Sequence, residues 1–218
     1  MPTWINHFRV ADNLLTKINN LDKEYFLIGN IAPDCGIPTG RNGEYIPSTN
    51  VTHFTIEDIS NKTDCDYNFI YDNYIKNEAD IKKRSFFIGY FVHLFTDCEY
   101  ALDIYLGSEK KYGKFADNQK LWQNFKKELH NIDNLYISNN MSTSFELFKQ
   151  YRGFNEQYPE WYKNNEITYQ MKNIVNFYSN PRAKKLKYKY ITPKVIDDLI
   201  ESITIKLFSE FEKREIKL

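Results

Sequence analysis

Three cysteines in 218 residues, Cys35, Cys65 and Cys98, are too few for a disulfide scaffold, and without a Cys-x-x-Cys pair they make no thiolate zinc knuckle. Charge of one sign is missing as well. With 29 Lys+Arg against 29 Asp+Glu the formal net charge is zero, so no global field attracts nucleic acid or an anionic membrane surface. Long apolar runs are also absent: the longest, from Phe86 to Phe95, is ten residues, about half of the roughly 20 that span a bilayer. The opening residues have no basic lead, apolar stretch and small-residue cleavage site, which predicts a cytoplasmic protein with reduced thiols. No internal repeat or low-complexity tract breaks the chain, so one domain over residues 1–218 is the economical expectation.

What is present is a chain 42% hydrophobic and 17% aromatic, too apolar to stay disordered, whose readable periodicity is helical. Near the C-terminus Thr192 and Pro193 form an N-cap and first-turn pair, followed by Ile196, Leu199, Ile203, Leu207 and Phe211 at three- and four-residue steps. This predicts a helix over 193–217. A second helix, 81–105, is apolar nearly all round, with Phe86, Tyr90 and Leu94 on one side and Phe87, Phe91, Phe95 and Cys98 covering much of the rest. Such a helix is central. Shorter patterns predict helices over 4–17, 52–59, 67–76, 120–129, 143–150 and 166–178, and residues 31–43, with two prolines and three glycines, read as a long ordered loop. The fold class expected is all-α. The basic stretch 181–190 reads either as a phosphate or headgroup patch or as a solvated connector.

Histidine is scarce, and the company of each one matters. His7, His53 and His93 sit in apolar surroundings, whereas His130 reads as a surface residue. His93 and Asp97 are four apart on the central helix, which places both side chains on one face with Cβ atoms about 6 Å apart. An ionised Asp97 on so apolar a helix is costly without a cation or a protein partner. Asp34, between Pro33 and Gly36, has the position of a turn-forming aspartate and equally that of a ligand. Three imidazoles and two carboxylates without thiolate suit a catalytic zinc site, and iron or manganese equally.

Pro2-Thr-Trp-Ile-Asn-His7, Gly29-Asn-Ile-Ala-Pro-Asp34, Thr52-His53-Phe54 and Gly89-Tyr-Phe-Val-His93-Leu-Phe-Thr-Asp97, in that order, resemble the zinc-dependent phospholipase C family. The resemblance implies a helical bundle with a metal site at one end that cleaves phosphate esters. It implies that Asp34, His53, His93 and Asp97 hold one zinc, and that Asp97 bridges to a second that His7 also binds. The chain departs from secreted members, whose processed N-terminal tryptophan supplies ligands, because Trp4 lies inside the chain. It departs again at the third metal: no histidine falls between His93 and His130, and Asn134 stands four residues after His130. One or two zinc ions are therefore expected.

With a metal present, the expected chemistry is phosphodiester hydrolysis by a zinc-activated water, with Asp34 and Glu57 as candidate general bases. The substrate expected is a small phosphate ester or a phospholipid headgroup, nucleic acid is not expected, and the oligomeric state is unread. The other reading left open is a non-catalytic helical protein in which the same residues hold a structural zinc, or none, and the surface serves a partner.

Overall fold

The computed structural model describes residues 2–40, 44–55, 65–139 and 141–216. In chain order its helices are α1 (Trp4–Leu15), α2 (Lys23–Gly29), α3 (Thr49–His53), α4 (Tyr67–Ile70), α5 (Ile81–Tyr100), α6 (Leu106–Tyr112), α7 (Gln119–Ser138), α8 (Thr143–Phe148), α9 (Glu166–Phe177) and α10 (Pro193–Lys213). Two strands, β1 (Ile37–Pro38) and β2 (Tyr45–Ile46), pair antiparallel in a minimal hairpin. The class is all-α, as the periodicity implies.

The helix starts are written in the sequence. Thr3, Asp22, Asp80, Asn118, Ser142 and Thr192 each accept a hydrogen bond from a backbone N–H of the first turn they precede, satisfying donors that a helix leaves unpaired. α5 is buried almost all round and forms the axis of the molecule. Against it lie α1, α2, α4 and α10, and one continuous apolar cluster runs through all of them, with Phe8, Phe26, Phe86, Phe91, Phe145, Phe148 and Phe211 among its largest members.

α2 approaches α5 more closely than side chains normally permit. A Cβ on Gly29 would lie 1.9 Å from the carbonyl oxygen of Phe86, and one on Gly89 would lie 2.1 Å from that of Phe26. The two helices therefore cross backbone to backbone, glycine against its neighbour on both sides.

Several expected boundaries shift. The helix predicted over 120–129 continues to Ser138 because Ile132 and Ile137 extend its buried stripe through Asn131 and Asp133, polar residues that are themselves buried and hydrogen-bonded. The C-terminal helix, predicted to 217, stops at Lys213, capped by Arg214, and Glu215 takes a left-handed φ of 51°. The helix predicted over 52–59 begins earlier, at Thr49, and ends at His53; 56–59 lie outside the described residues. Residues 71–75 and 101–105 continue α4 and α5 as π-helical turns. α2 and α6, seven residues each, are too short to show a readable period, and the expected loop 31–43 holds a 3-10 turn (Ala32–Asp34) and β1.

Gly89→Ala is expected to destabilise the chain by at least about 2 kcal/mol, since the atoms it would strike are backbone and cannot rotate away. Gly107→Ala, in α6 with open space around its Cα, is expected to stabilise by about 0.5–1 kcal/mol through helix propensity. Urea unfolding of both variants checks the contrast; equal effects would remove the close-crossing account.

Candidate metal centre

Five side chains from four segments meet at one end of α5. His93 and Asp97 leave α5 one turn apart, and His7 comes from α1. Asp34 ends the 3-10 turn that follows α2, where Pro33 stiffens the backbone. His53 is the last residue of α3, which closes on Phe54 in the left-handed conformation (φ 53°). The Phe54 ring then packs against Tyr90 and Trp161. Tyr90, fully buried on α5, donates its hydroxyl to the Thr52 carbonyl at 2.5 Å and so ties α3 to the axis.

The nitrogen-to-oxygen separations define the centre. His53 Nε2 lies 3.3 Å from Asp97 Oδ2 and 3.5 Å from Asp34 Oδ1, while His93 Nε2 lies 3.8 Å from Asp97 Oδ2 and 3.9 Å from Asp34 Oδ2. The other oxygen of Asp97, Oδ1, is 3.5 Å from His7 Nε2. The His7 and His93 rings stack in parallel, centroids 3.9 Å apart. Two ligands each about 2.0–2.1 Å from a tetrahedral zinc are roughly 3.3–3.4 Å apart, so this spacing fits donors arranged about a common ion.

Two of the three imidazoles have their orientation set from behind. His93 Nδ1 is 2.9 Å from the carbonyl of Asn30, and His53 Nδ1 is 3.0 Å from Thr52 Oγ1 and 3.2 Å from the Thr49 carbonyl. A backbone acceptor at Nδ1 places the proton there and leaves Nε2 with its lone pair toward the carboxylates. Burial, reinforced by the neighbouring His7, pushes the His93 pKa down to about 3, so its ring is the neutral form that a metal requires. Among the described residues neither His93 Nε2 nor either ring nitrogen of His7 has a hydrogen-bond partner, and both rings are fully buried. Orphaned imidazole nitrogens beside a buried carboxylate are the chemistry of a cation site.

Asn30 is the residue that sequence reasoning passed over. Besides receiving His93, it donates Nδ2 to the carbonyl of His7 at 2.9 Å, so one asparagine at the end of α2 holds ligand-bearing turns of α1 and α5. It stands within the quoted Gly29-Asn-Ile-Ala-Pro-Asp34 segment, and an asparagine directly after a helix ending in glycine was the available signal.

The cluster is closed on most sides and open at Asp34. A cavity of about 490 Å³ reaches that carboxylate and is walled by Trp4, Tyr45, Trp122, His130 and Phe177 among others. Trp4 lies edge-on to Phe177 and Tyr178 in that wall. Glu57 lies outside the described residues. Glu128, buried on α7, accepts the backbone N–H groups of Lys189, Tyr190 and Ile191 and so anchors the basic stretch 181–190 against the helix. Cys35 donates to the Ile31 carbonyl, and burial pushes its thiol well above the usual range, so it is inert as a thiolate.

A family model described as zinc dependent phospholipase C matches residues 6–151, a span that includes all five converging side chains. No curated protein and no solved structure matches the chain.

His93→Ala and Asp97→Ala are each expected to abolish metal retention, read as moles of Zn, Fe and Mn per chain in protein purified without a metal-binding tag. Cys35→Ser is expected to leave the metal content unchanged. Normal metal in either of the first two variants, or loss in the third, would mean that a different set of atoms binds it.

Proposed function

The chain belongs to the zinc-dependent phospholipase C family, and on that premise we propose that it hydrolyses phosphodiesters through a zinc site built from Asp34, His53, His93 and Asp97. Family membership and the two His/Asp groupings together support a metal-dependent phospholipid hydrolase in general. The observation that carries the finer reading is the coincidence of two features at Asp34: it belongs to the ligand cluster, and it is the member of that cluster that lines the cavity. Zinc is the metal the family implies, with iron or manganese allowed by the same ligands. The second position, between His7 and Asp97 Oδ1, has two protein groups, so the proposal allows one ion or two.

Bound there, zinc brings the pKa of a water toward neutrality and offsets the charge that develops on the phosphoryl oxygens. The chain's own residues supply the rest. His53 and His93 turn Nε2 toward the ion because their Nδ1 atoms are held by backbone carbonyls and, for His53, by Thr52. Asp97, 1% exposed, balances the charge of the ion from the dry side. Asp34, on the wet side, takes the proton of the attacking water. The aromatic wall formed by Trp4, Trp122 and Phe177 suits the apolar part of an ester.

The reading takes residues 1–218 as one domain. In support, α10, beyond the matched span, packs on α1 and α5 within the same apolar cluster. It also takes the protein as cytoplasmic, with three free buried cysteines consistent with a reducing compartment. No helix among the described residues is long and apolar enough to cross a membrane. One observation favours a second reading: four side-chain donors around one ion make a closed structural set, with no water position.

Hydrolysis of short-chain phosphatidylcholine, followed with metal analysis, separates the two. Activity is expected to disappear on chelation and return with zinc, and Asp34→Asn is expected to lower kcat about 100-fold. A chain carrying a full equivalent of zinc that turns over neither this substrate nor 4-nitrophenyl phosphocholine would leave the structural-zinc reading standing.

A further inference from the structure

On the α7 wall of the cavity that Asp34 also lines stands a second constellation that the proposed metal chemistry does not use. His130 has its Nδ1 buried, 3.7 Å from Asp133 Oδ2 and without a hydrogen-bond partner among the described residues, while the side chain as a whole is 43% exposed. The partly exposed side chain is one of those that line the cavity. Its ring rests against Phe177, centroids 5.4 Å apart.

Asp133 is fixed where it is. It is 1% exposed, and its carboxylate accepts Thr3 Oγ1 at 2.8 Å on one oxygen and Tyr178 OH at 2.9 Å on the other. Thr3 is also the N-cap of α1, whose His7 lies one turn further on, about 6 Å along the helix. The same carboxylate, together with Asp97, bears on the buried Tyr100 hydroxyl, which burial and these two charges push up in pKa. Asp133 is thus held by the residues that cap the start of α1 and the end of α9. The groups that face His130 are Asp133 and Lys126 from its own helix, Phe177 and Tyr178 from α9, and Thr3 and Trp4 at the start of α1. A fixed carboxylate beside the buried Nδ1, beyond hydrogen-bond distance at 3.7 Å, with the partly exposed side chain lining a cavity, places an imidazole where it can give up a proton.

We propose that His130 is the general acid of the hydrolysis, giving its Nε2 proton to the leaving alcohol, and that Asp133 positions it. The inference rests on the hydrolase reading and adds a residue to it. A water oxygen forms the new bond to phosphorus, and one water proton goes to Asp34. The bond from phosphorus to the leaving oxygen breaks, its electron pair stays on that oxygen, and the His130 proton neutralises it. Solvent then reprotonates His130 and receives the proton of Asp34, so one water is consumed and one alcohol and one phosphate monoester are formed.

The test is a leaving-group comparison on the full chain loaded with zinc. Dihexanoyl phosphatidylcholine and 4-nitrophenyl phosphocholine share the phosphocholine half and differ in the group that departs. An alkoxide leaves only with a proton, whereas 4-nitrophenolate leaves without one. His130→Gln, at a half-exposed position where folding is not at stake, is expected to lower kcat on the lipid about 100-fold and on the aryl ester less than about threefold, with unchanged zinc per chain. Asp133→Asn is expected to show the same pattern more weakly. An equal loss on both substrates, a loss of zinc in His130→Gln, or full activity on the lipid would each overturn the proposal. Zinc-loaded wild-type protein inactive on both substrates would overturn the hydrolase reading itself, and this inference with it.

Discussion

The backbone-to-backbone crossing of α2 and α5 at Gly29 and Gly89 is the contact on which the rest of the centre depends. Because no side chain separates the helices there, the residue that follows Gly29 arrives within hydrogen-bond reach of both neighbouring helices. Asn30 uses that position to bind His93 through its carbonyl and the His7 carbonyl through its amide. The chain then turns through Ala32–Asp34, and the Asp34 carboxylate is delivered beside the same two rings. A larger residue at either glycine would push α2 outward and move Asn30 and Asp34 together.

Burying three imidazoles and two carboxylates in an aromatic core is costly unless their charges are satisfied. The geometry limits that cost in two ways. Backbone carbonyls occupy Nδ1 of His53 and His93, which leaves Nε2 of each facing the carboxylates, and Asp97 shares its two oxygens between His53 and His93 on one side and His7 on the other. What is left is a set of lone pairs facing inward, which a divalent cation would complete. The surrounding rings of Tyr90, Phe54 and Trp161 keep water from the back of the cluster, so the polar opening is at Asp34.

The cavity gives this inward-facing set a working direction. Its walls come from the hairpin, the start of α1, α7 and α9, elements that touch α5 little or indirectly. Asp133 links three of them through Thr3 and Tyr178, so the wall that carries His130 is braced by one buried carboxylate. Site and wall are held by separate hydrogen-bond networks that meet at α1.

The sequence by itself determined the all-α class, the central position of α5 and most helix starts, because period and capping chemistry are local properties of consecutive residues. It also made His7, Asp34, His53, His93 and Asp97 candidates, through rarity of histidine and the cost of an aspartate on an apolar helix. Only the tertiary structure decided that these five side chains, from four segments, converge within a few ångströms, and that Asn30 holds two of their helices. Only it brought His130, with Asp133 behind it, to a cavity that Asp34 also lines, where the sequence read His130 as a surface residue. The reason is physical: a helix shows its period within one or two turns, whereas a site is made by a crossing angle and a distance of approach. Here that distance is set by two glycines sixty residues apart, whose message is a missing atom.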